Sequence, residues 1–408
     1  MPSWLIVSPN PKPCYISTEV LAISVQSLDF AFSGEQELFR KTVREFAKRE
    51  IAPRIRVFEK KAEYPWELQR KMGEIGLIGL PLPKQYGGQE ADAVTAGISI
   101  EELAKYEALP PVLQYAVGGL VALVAQESLK SRWLPPLARG EILIGLASTE
   151  PHAGSDAAAM RTTAAKTKDG YVLNGEKQMV TAPMESSAFV VFAKTQPEAG
   201  ARGVSAFFVP MDLPGIQRYR FRTMGPRTSS FGGFVLKDVH VPKENLLGQE
   251  NAGFLVLMKT FDLLRVLIAL YCIGLAEGSL EETLDYVKQR TAFGQPIGKF
   301  ESVQFRIAED STLLEAARLL CYKALWLIAK GEKSTKESAM AKWWSPIVAF
   351  NAINNCIQNR GAVGFTSEAI DEMRLRDVRG MWFADGTADI MKIIIGRETL
   401  GKEFVPYR

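Results

Sequence analysis

The sequence holds only two histidines, His152 and His240. A histidine-rich metal centre or a Ser-His-Asp relay would have to use one of them, so most such schemes are excluded and no metal is expected. Cysteine is sparse too. Cys14, Cys272, Cys321 and Cys356 stand far apart with no CxxC pair, which argues against a zinc ribbon or a disulfide scaffold and suits a reducing cytoplasm. Charge of one sign is never concentrated: 49 basic residues face 46 acidic ones, for a net +3. Bulk electrostatics therefore gives no footing for nucleic acid. Long apolar runs are missing too. Tyr115–Ala125 and Val266–Ala276 reach about half of the ~20 residues that a membrane span requires, and read as buried core helices. The first 33 residues carry only Lys12, Glu19 and Asp29 as charges. Lacking a basic start and an unbroken apolar stretch, they do not read as a signal peptide.

What is present is the profile of a globular chain: 408 residues, 47% hydrophobic and 23% charged, enough for two or three domains. Residues 1–32 read as an atypical N-terminal extension. Ser33 and Gln36 have capping-box spacing, and Leu38, Val43, Phe46 and Ala47 then recur at helical intervals. Helical patterning continues through Trp66–Ile75, Ala96–Lys105 and the apolar run from Tyr115 into Leu129, giving an N-terminal helical domain over 33–141. From 142 to 248 β-branched and aromatic runs alternate with turn dipeptides, notably Asp169-Gly170 and Asn174-Gly175, and predict an antiparallel β-domain. From 249 to 408 the helical period returns, with Phe254–Leu284 interrupted only by Gly274 and Gly278. Further helices are expected over Val303–Ala329, Glu337–Asn359 and Ala388–Leu400. The order α, β, α without βαβ alternation is an α+β chain, and a doubly wound sheet is excluded. Neither GxGxxG nor GxxxxGK[ST] occurs.

The most informative segment is Ala147-Ser-Thr-Glu-Pro-His-Ala-Gly-Ser-Asp156. It leaves a strand and enters a loop rich in hydroxyls, glycine and free N–H groups, able to donate to a cofactor edge or a phosphate. Composition alone leaves an ordinary Asx-turn loop open as the alternative. Downstream stand LNGEK (173–177), VPKENLLG (241–248), RTAFGQPI (290–297) and ADGT (384–387). Together with TEPHAGSD (149–156), these motifs resemble the acyl-CoA dehydrogenase family in content and order, over nearly the whole chain.

The resemblance implies an acyl-CoA dehydrogenase-like fold and bound FAD. It implies α,β-desaturation of an acyl-CoA thioester, proton to a carboxylate and hydride to flavin N5, with electrons passed on to an electron-transfer flavoprotein. By the same resemblance, Leu146, Ser148 and Thr149 face the flavin pyrimidine and Thr181 the flavin N5. Ser155 touches the pyrophosphate or the CoA chain. Met179 stands where the family usually has Trp, with plain strand packing as its alternative. Arg290, Ala292 and Phe293 match the segment that holds the FAD diphosphate across a subunit contact, and a forked cation suits a diphosphate. Gln358 and Gly361 match a second cross-subunit segment, and Thr387 and Asp389 complete the cofactor set. These positions imply a homo-oligomer, dimer or tetramer. Glu301 in place of Gln and Ala362 in place of Gly depart from the pattern.

Asp262 and Arg265 resemble the helix position that meets the acyl-CoA. A guanidinium inside an apolar run needs a partner, and Asp262, three residues earlier on the same face, is a structural alternative to substrate contact. The family's base is a Glu in Tyr-Glu-Gly-Thr, with Arg-Asp nine and eight residues earlier. Arg376-Asp377 sets that register here and puts Asp385 at the base position, with Ala384 replacing the aromatic. Aspartate is shorter by one methylene, about 1.5 Å. Both changes enlarge the site and predict a branched, cyclic or otherwise bulky acyl group. Asp92 is an alternative base, against the simpler reading that it caps the helix following it. Glu101 falls where glutaryl-CoA dehydrogenases carry an Arg, which disfavours a dicarboxylyl substrate. The rival functional readings are an FAD-binding, weakly active or inactive subunit of a heteromeric complex, and an acyl-CoA oxidase.

Overall fold

The computed structural model describes residues 31–106 and 111–406. The expected extension therefore lies, over residues 1–30, outside the described residues, as does Cys14. Six helices come first: α1 (Gly34–Phe46), α2 (Ile55–Lys61), α3 (Trp66–Glu74), α4 (Ala93–Ala104), α5 (Val112–Val124) and α6 (Glu127–Ala138). The Ser33–Gln36 capping box forms, each side chain meeting the other's backbone N–H. Val43, Phe46 and Ala47 point into the core, but Leu38 is exposed. Five residues of α-helix turn through about 500°, so Leu38 cannot share the face that Val43 occupies. The run from Tyr115 into Leu129 is two helices. The chain turns extended at Ala125 and Gln126, and the freed carbonyl of Val124 accepts from the Gly248 N–H at 3.1 Å.

A mixed sheet follows: β1 (Ile144–Ala147), β2 (Thr163–Lys166), β3 (Gly170–Thr181), β4 (Ala188–Lys194), β5 (Val204–Pro210), β6 (Ile216–Phe221), β7 (Phe231–Pro242) and β8 (Leu246–Leu247). The order is β6-β7-β3-β2-β4-β5-β8, with β1 beside β4. Most pairs are antiparallel as expected, but β1 and β2 each run parallel to β4. The Asp169-Gly170 turn joins β2 to β3. Asn174-Gly175 makes no turn; it is a bulge inside β3 opposite β7. Gly175 takes φ +149, with Thr162 packed where a Cβ would stand, and the Asn174 amide and Asp238 bond each other across the bulge.

The last region holds α7 (Gly253–Gln289), the hairpin β9 (Thr291–Ala292) and β10 (Gln295–Pro296), then α8 (Glu301–Ala329), α9 (Thr335–Arg360), α10 (Asp371–Gly380) and α11 (Ala388–Leu400). Gly274 and Gly278 do not interrupt α7. A Cβ at Gly274 would lie 2.3 Å from the Glu101 carbonyl, and one at Gly278 2.4 Å from the Lys105 carbonyl. These glycines let α4 cross α7 in backbone contact. The main core is built on α7, where Val266, Leu267, Leu270 and Ile273 are buried with Ala317, Leu325, Ala349 and Ile353. Each large aliphatic side chain buried there stabilises by about 1.5–3 kcal/mol. Among the described residues no helix is long and apolar enough to cross a membrane.

Candidate active site

Two constructions meet at one apolar cluster that includes Leu146 of β1, Phe261 and Leu264 of α7, and Met381 and Ala384. The first is the loop that leaves β1. Glu150 and Lys177 are both buried and bonded at 2.7 Å. The Lys177 ammonium also reaches the Ser148 carbonyl at 3.2 Å, while the Glu150 carboxylate accepts from the Arg161 and Thr162 N–H groups at 2.6 and 3.0 Å. Burial pushes the Lys177 amine down to about 8 against the pull of Glu150, and Lys177 with the two N–H donors holds Glu150 low despite its burial.

This pair anchors the loop from within. Its outer side keeps Thr149 half-buried and Gly154, Ser155 and Asp156 exposed. The Thr149 carbonyl accepts from the Gln178 N–H at 2.9 Å, which joins the loop to β3. One residue on, a second bulge puts Met179 at φ 56 with half its surface exposed. Met179 therefore stands on a bulge and is half-exposed, outside the packed interior of the sheet. Thr181 is exposed beyond it. Hydroxyls and a thioether thus gather at one end of β1 and β3. That donor set fits the polar edge and flat face of a flavin.

The second construction is the turn after α10. Asp385 and Gly386 are consecutive positive-φ residues, at 51° and 110°. Aspartate tolerates that region better than most side chains, and glycine adopts it freely. Lys342 of α9, fully buried, donates to the Met381 carbonyl at 2.7 Å and the Gly386 carbonyl at 3.4 Å. Arg265 of α7 donates its Nε–H to the Asp385 carbonyl at 3.2 Å. Its Nη1 stands 3.8 Å from Asp262 and its guanidinium 5.2 Å from the Phe261 ring. Asp262 accepts from the Thr335 hydroxyl at 2.9 Å. The Asp262–Arg265 ion pair therefore exists but is long, and Arg265 also serves the turn. Burial pushes the Asp385 carboxyl up, with Lys342 and Arg265 opposing it. A half-buried carboxyl raised by desolvation, flanked by two cations yet not hydrogen-bonded by them, has the character of a general base.

The remaining candidates divide. Thr387 caps α11, accepting from the Ile390 N–H at 3.2 Å, and Asp389 is an exposed partner of Lys392. Asp92 is exposed and caps α4 through the Thr95 N–H at 2.7 Å. Glu101 is buried against α8, accepting from Arg318 and Tyr322 at 2.7 and 2.5 Å. Arg290 is exposed at the end of α7, just before a hairpin whose tip, Phe293-Gly294, has positive φ at both residues. Phe293 is 96% exposed and Ala292 half-buried. Gln358 and Gly361 are exposed at the end of α9, and nearby Phe365 is 87% exposed. Lys342, Thr335 and the Glu150–Lys177 pair escaped the sequence reading. Lys342 left one signal: it shares a helical face with Ser338, Ala341, Ser345 and Ala349, all buried, so its amine had to find an internal acceptor.

Three family models cover the chain in sequence order: acyl-CoA dehydrogenase, N-terminal domain, over residues 33–141; middle domain, over 145–239; and C-terminal domain, over 251–400. A Bacillus subtilis protein named acyl-CoA dehydrogenase is 38% identical over 372 residues, 90% of this chain and 98% of its own length. The CarC subunit of the caffeyl-CoA reductase-Etf complex of Acetobacterium woodii is 35% identical over 381 residues, 91% of this chain and 100% of its own. The solved FAD complex of PigA superposes with a TM-score of 0.88 at 28% identity, covering 92% of this chain and 100% of that one.

Proposed function

Because the chain belongs to the acyl-CoA dehydrogenase family, we propose that it uses FAD to desaturate a branched, cyclic or otherwise bulky acyl-CoA, with Asp385 taking the α-proton. The observation that carries this reading is the Asp385 turn. Its carboxyl is raised by burial, and its backbone is tied down by Arg265 and Lys342. Bound FAD supplies the two-electron oxidising chemistry.

The residues of this chain supply the rest. Thr149, Ser155 and Thr181 offer hydroxyls to the cofactor beside the half-exposed Met179, and Arg290 offers a charge-assisted contact to its diphosphate. Asp262 and Arg265 stand on α7 at the acyl side of the turn, where Phe261, Leu264 and Ala384 give an apolar surface to an acyl chain. Ala384 leaves volume that an aromatic side chain would fill, and Asp385 reaches one methylene less far than Glu. A bulky acyl group fills the first and brings its α-carbon nearer the second.

Electron transfer to an electron-transfer flavoprotein and a cytoplasmic setting belong to the same reading. So does a homo-oligomer, dimer or tetramer. Its support is the exposure of Arg290 and Phe293 on one projecting hairpin and of Gln358, Gly361 and Phe365 beyond α9, with no carboxylate partner for Arg290 among the described residues. The rival reading as a weakly active FAD-binding subunit draws on Met179, Glu301 and Ala362. Anaerobic loss of the visible flavin band separates the two, tested against straight, branched and alicyclic acyl-CoAs. Branched or alicyclic thioesters should bleach fastest. Failure of every acyl-CoA to bleach would favour the inert-subunit reading, and rapid recovery of colour in air would favour an oxidase.

A further inference from the structure

We propose that Lys342 is a positioning residue for the Asp385 carboxylate: from α9 its ammonium gathers the Met381 and Gly386 carbonyls, shaping the turn that presents the acid, and places a positive charge beside it. The proposal rests on the reading of Asp385 as the base.

Three observations carry it. Lys342 is fully buried, and among the described residues no carboxylate lies within ion-pair distance of its amine. A buried ammonium without a contacting anion is destabilising by several kcal/mol, so a merely structural role would be served better by a neutral side chain. Second, the turn carries two successive positive-φ residues, a backbone that persists only when its surroundings over-determine it. The restraints come from cations acting on carbonyls: Lys342 on Met381 and Gly386, Arg265 on Asp385. Third, the Asp385 carboxylate accepts no hydrogen bond among the described residues, so it stays open to a substrate proton.

The charged and titratable groups around this point come from three helices. Lys342 belongs to α9; Arg265, Asp262 and Cys272 to α7; Arg397 and Glu398, farther out, to α11. Burial pushes the Lys342 amine down to about 8, and Asp385 pulls it back up. The converse holds by reciprocity: the Lys342 charge lowers the Asp385 carboxyl within its raised range. Removing that charge lets Asp385 rise further, so a higher pH is needed before it can accept a proton.

The test uses the FAD-loaded protein. Lys342→Gln keeps an N–H donor for the turn and removes the charge; flavin content should hold, while the acid limb of the bleaching rate should move up by roughly one pH unit or more. Lys342→Arg, if it folds with its charge in place, should return the limb toward the parent. Independently of how these variants fold, 13C-labelled lysine followed by NMR without acyl-CoA reads the coupling directly. Lys342 should titrate near 8 in the parent and lower in Asp385→Asn, where its anion is gone. An unchanged Lys342 midpoint in Asp385→Asn, or an unchanged acid limb in flavin-replete Lys342→Gln, overturns the proposal. If Asp385→Asn still bleaches at the parent rate, it is the base reading that fails; if Asp385→Asn is inert but neither Lys342 signal moves, only the positioning role falls.

Discussion

Arg265 donates to the backbone carbonyl of Asp385, 3.2 Å away, and not to its carboxylate. The guanidinium therefore holds the turn while leaving the acid available. Lysine at this position would keep the charge but lose the planar fork that serves the carbonyl through Nε and faces Asp262 through Nη1. Arg265→Lys should retain FAD and bleach about 10–100-fold more slowly, since misplacing a reacting group by about 1 Å is enough for such a loss. Stopped-flow absorbance at saturating acyl-CoA decides it; a parent-like rate would detach Arg265 from the turn's geometry.

The buried amine of Lys342 gives stability a definite pH dependence. Burial pushes it down to about 8 in the fold, against 10.5 for a free lysine. Below about 8 both folded and unfolded chains carry the proton and the burial penalty is constant. Between 8 and 10.5 the unfolded chain binds a proton that the folded chain releases, so the penalty shrinks as pH rises. The span corresponds to about 3 kcal/mol. Relative to Lys342→Met, the parent should gain stability from pH 8 to pH 10, read as the difference in urea midpoints. A gap that stays constant or moves the other way would contradict the burial argument.

Cofactor retention tests the exposed end of α7. Arg290→Ala deletes a charge-assisted contact worth about 1.5–3 kcal/mol, and Arg290 has no ion-pair partner in its own chain among the described residues. The purified variant should lose FAD on dilution, with affinity weakened by about 10- to 100-fold. Full flavin occupancy at low protein concentration would remove Arg290 from the site.

The legibility of this chain follows from how local each signal is. The Ser33–Gln36 box, the helix from Ala388 to Leu400 and the Asp92 cap rest on contacts three residues apart and could be read directly. The α+β order, too, shows as a change of hydrophobic period. Asn174-Gly175 misled because its dipeptide favours positive φ equally in a turn and in a bulge, and the pairing with β7 chose the bulge. The break at Ala125 depended on a carbonyl acceptor for Gly248, over a hundred residues away. At the proposed site, Asp385 was assigned by register. Lys342 was not, because its carbonyl acceptors lie about forty residues on, in a turn whose shape only tertiary packing fixes.

The glycines of α7 and α5 make opposite predictions from the same substitution. A methyl at Gly274 meets the Glu101 carbonyl at 2.3 Å and the Ala104 side chain at 2.7 Å. Gly274→Ala must push α4 off α7 and should destabilise by about 1–3 kcal/mol. At Gly119, within α5, nothing lies within 4 Å of the added carbon, so Gly119→Ala should stabilise by about 0.5–1 kcal/mol through helix propensity alone. Thermal melts of the pair should bracket the parent. A Gly274→Ala that melts at or above the parent would mean that the α4–α7 crossing is not limited by these backbones, and a destabilised Gly119→Ala would mean that the space beside α5 is not open.

Asp385 itself carries the sharpest expectation. Asp385→Asn keeps nearly the same volume and still suits the positive-φ turn, because asparagine also tolerates that backbone. FAD content and acyl-CoA binding should persist while bleaching falls by at least ~100-fold, the loss expected for a positioned general base. Asp385→Glu restores a methylene of reach; it should shift preference toward straight-chain acyl groups, with total turnover reduced by strain in the turn. Asp92 serves as the internal control. Its carboxylate caps α4 from an exposed position, so Asp92→Asn, which also caps well, should bleach like the parent. If Asp385→Asn bleached normally while Asp92→Asn did not, the base would be Asp92, and the proton would leave from a different side of the acyl chain.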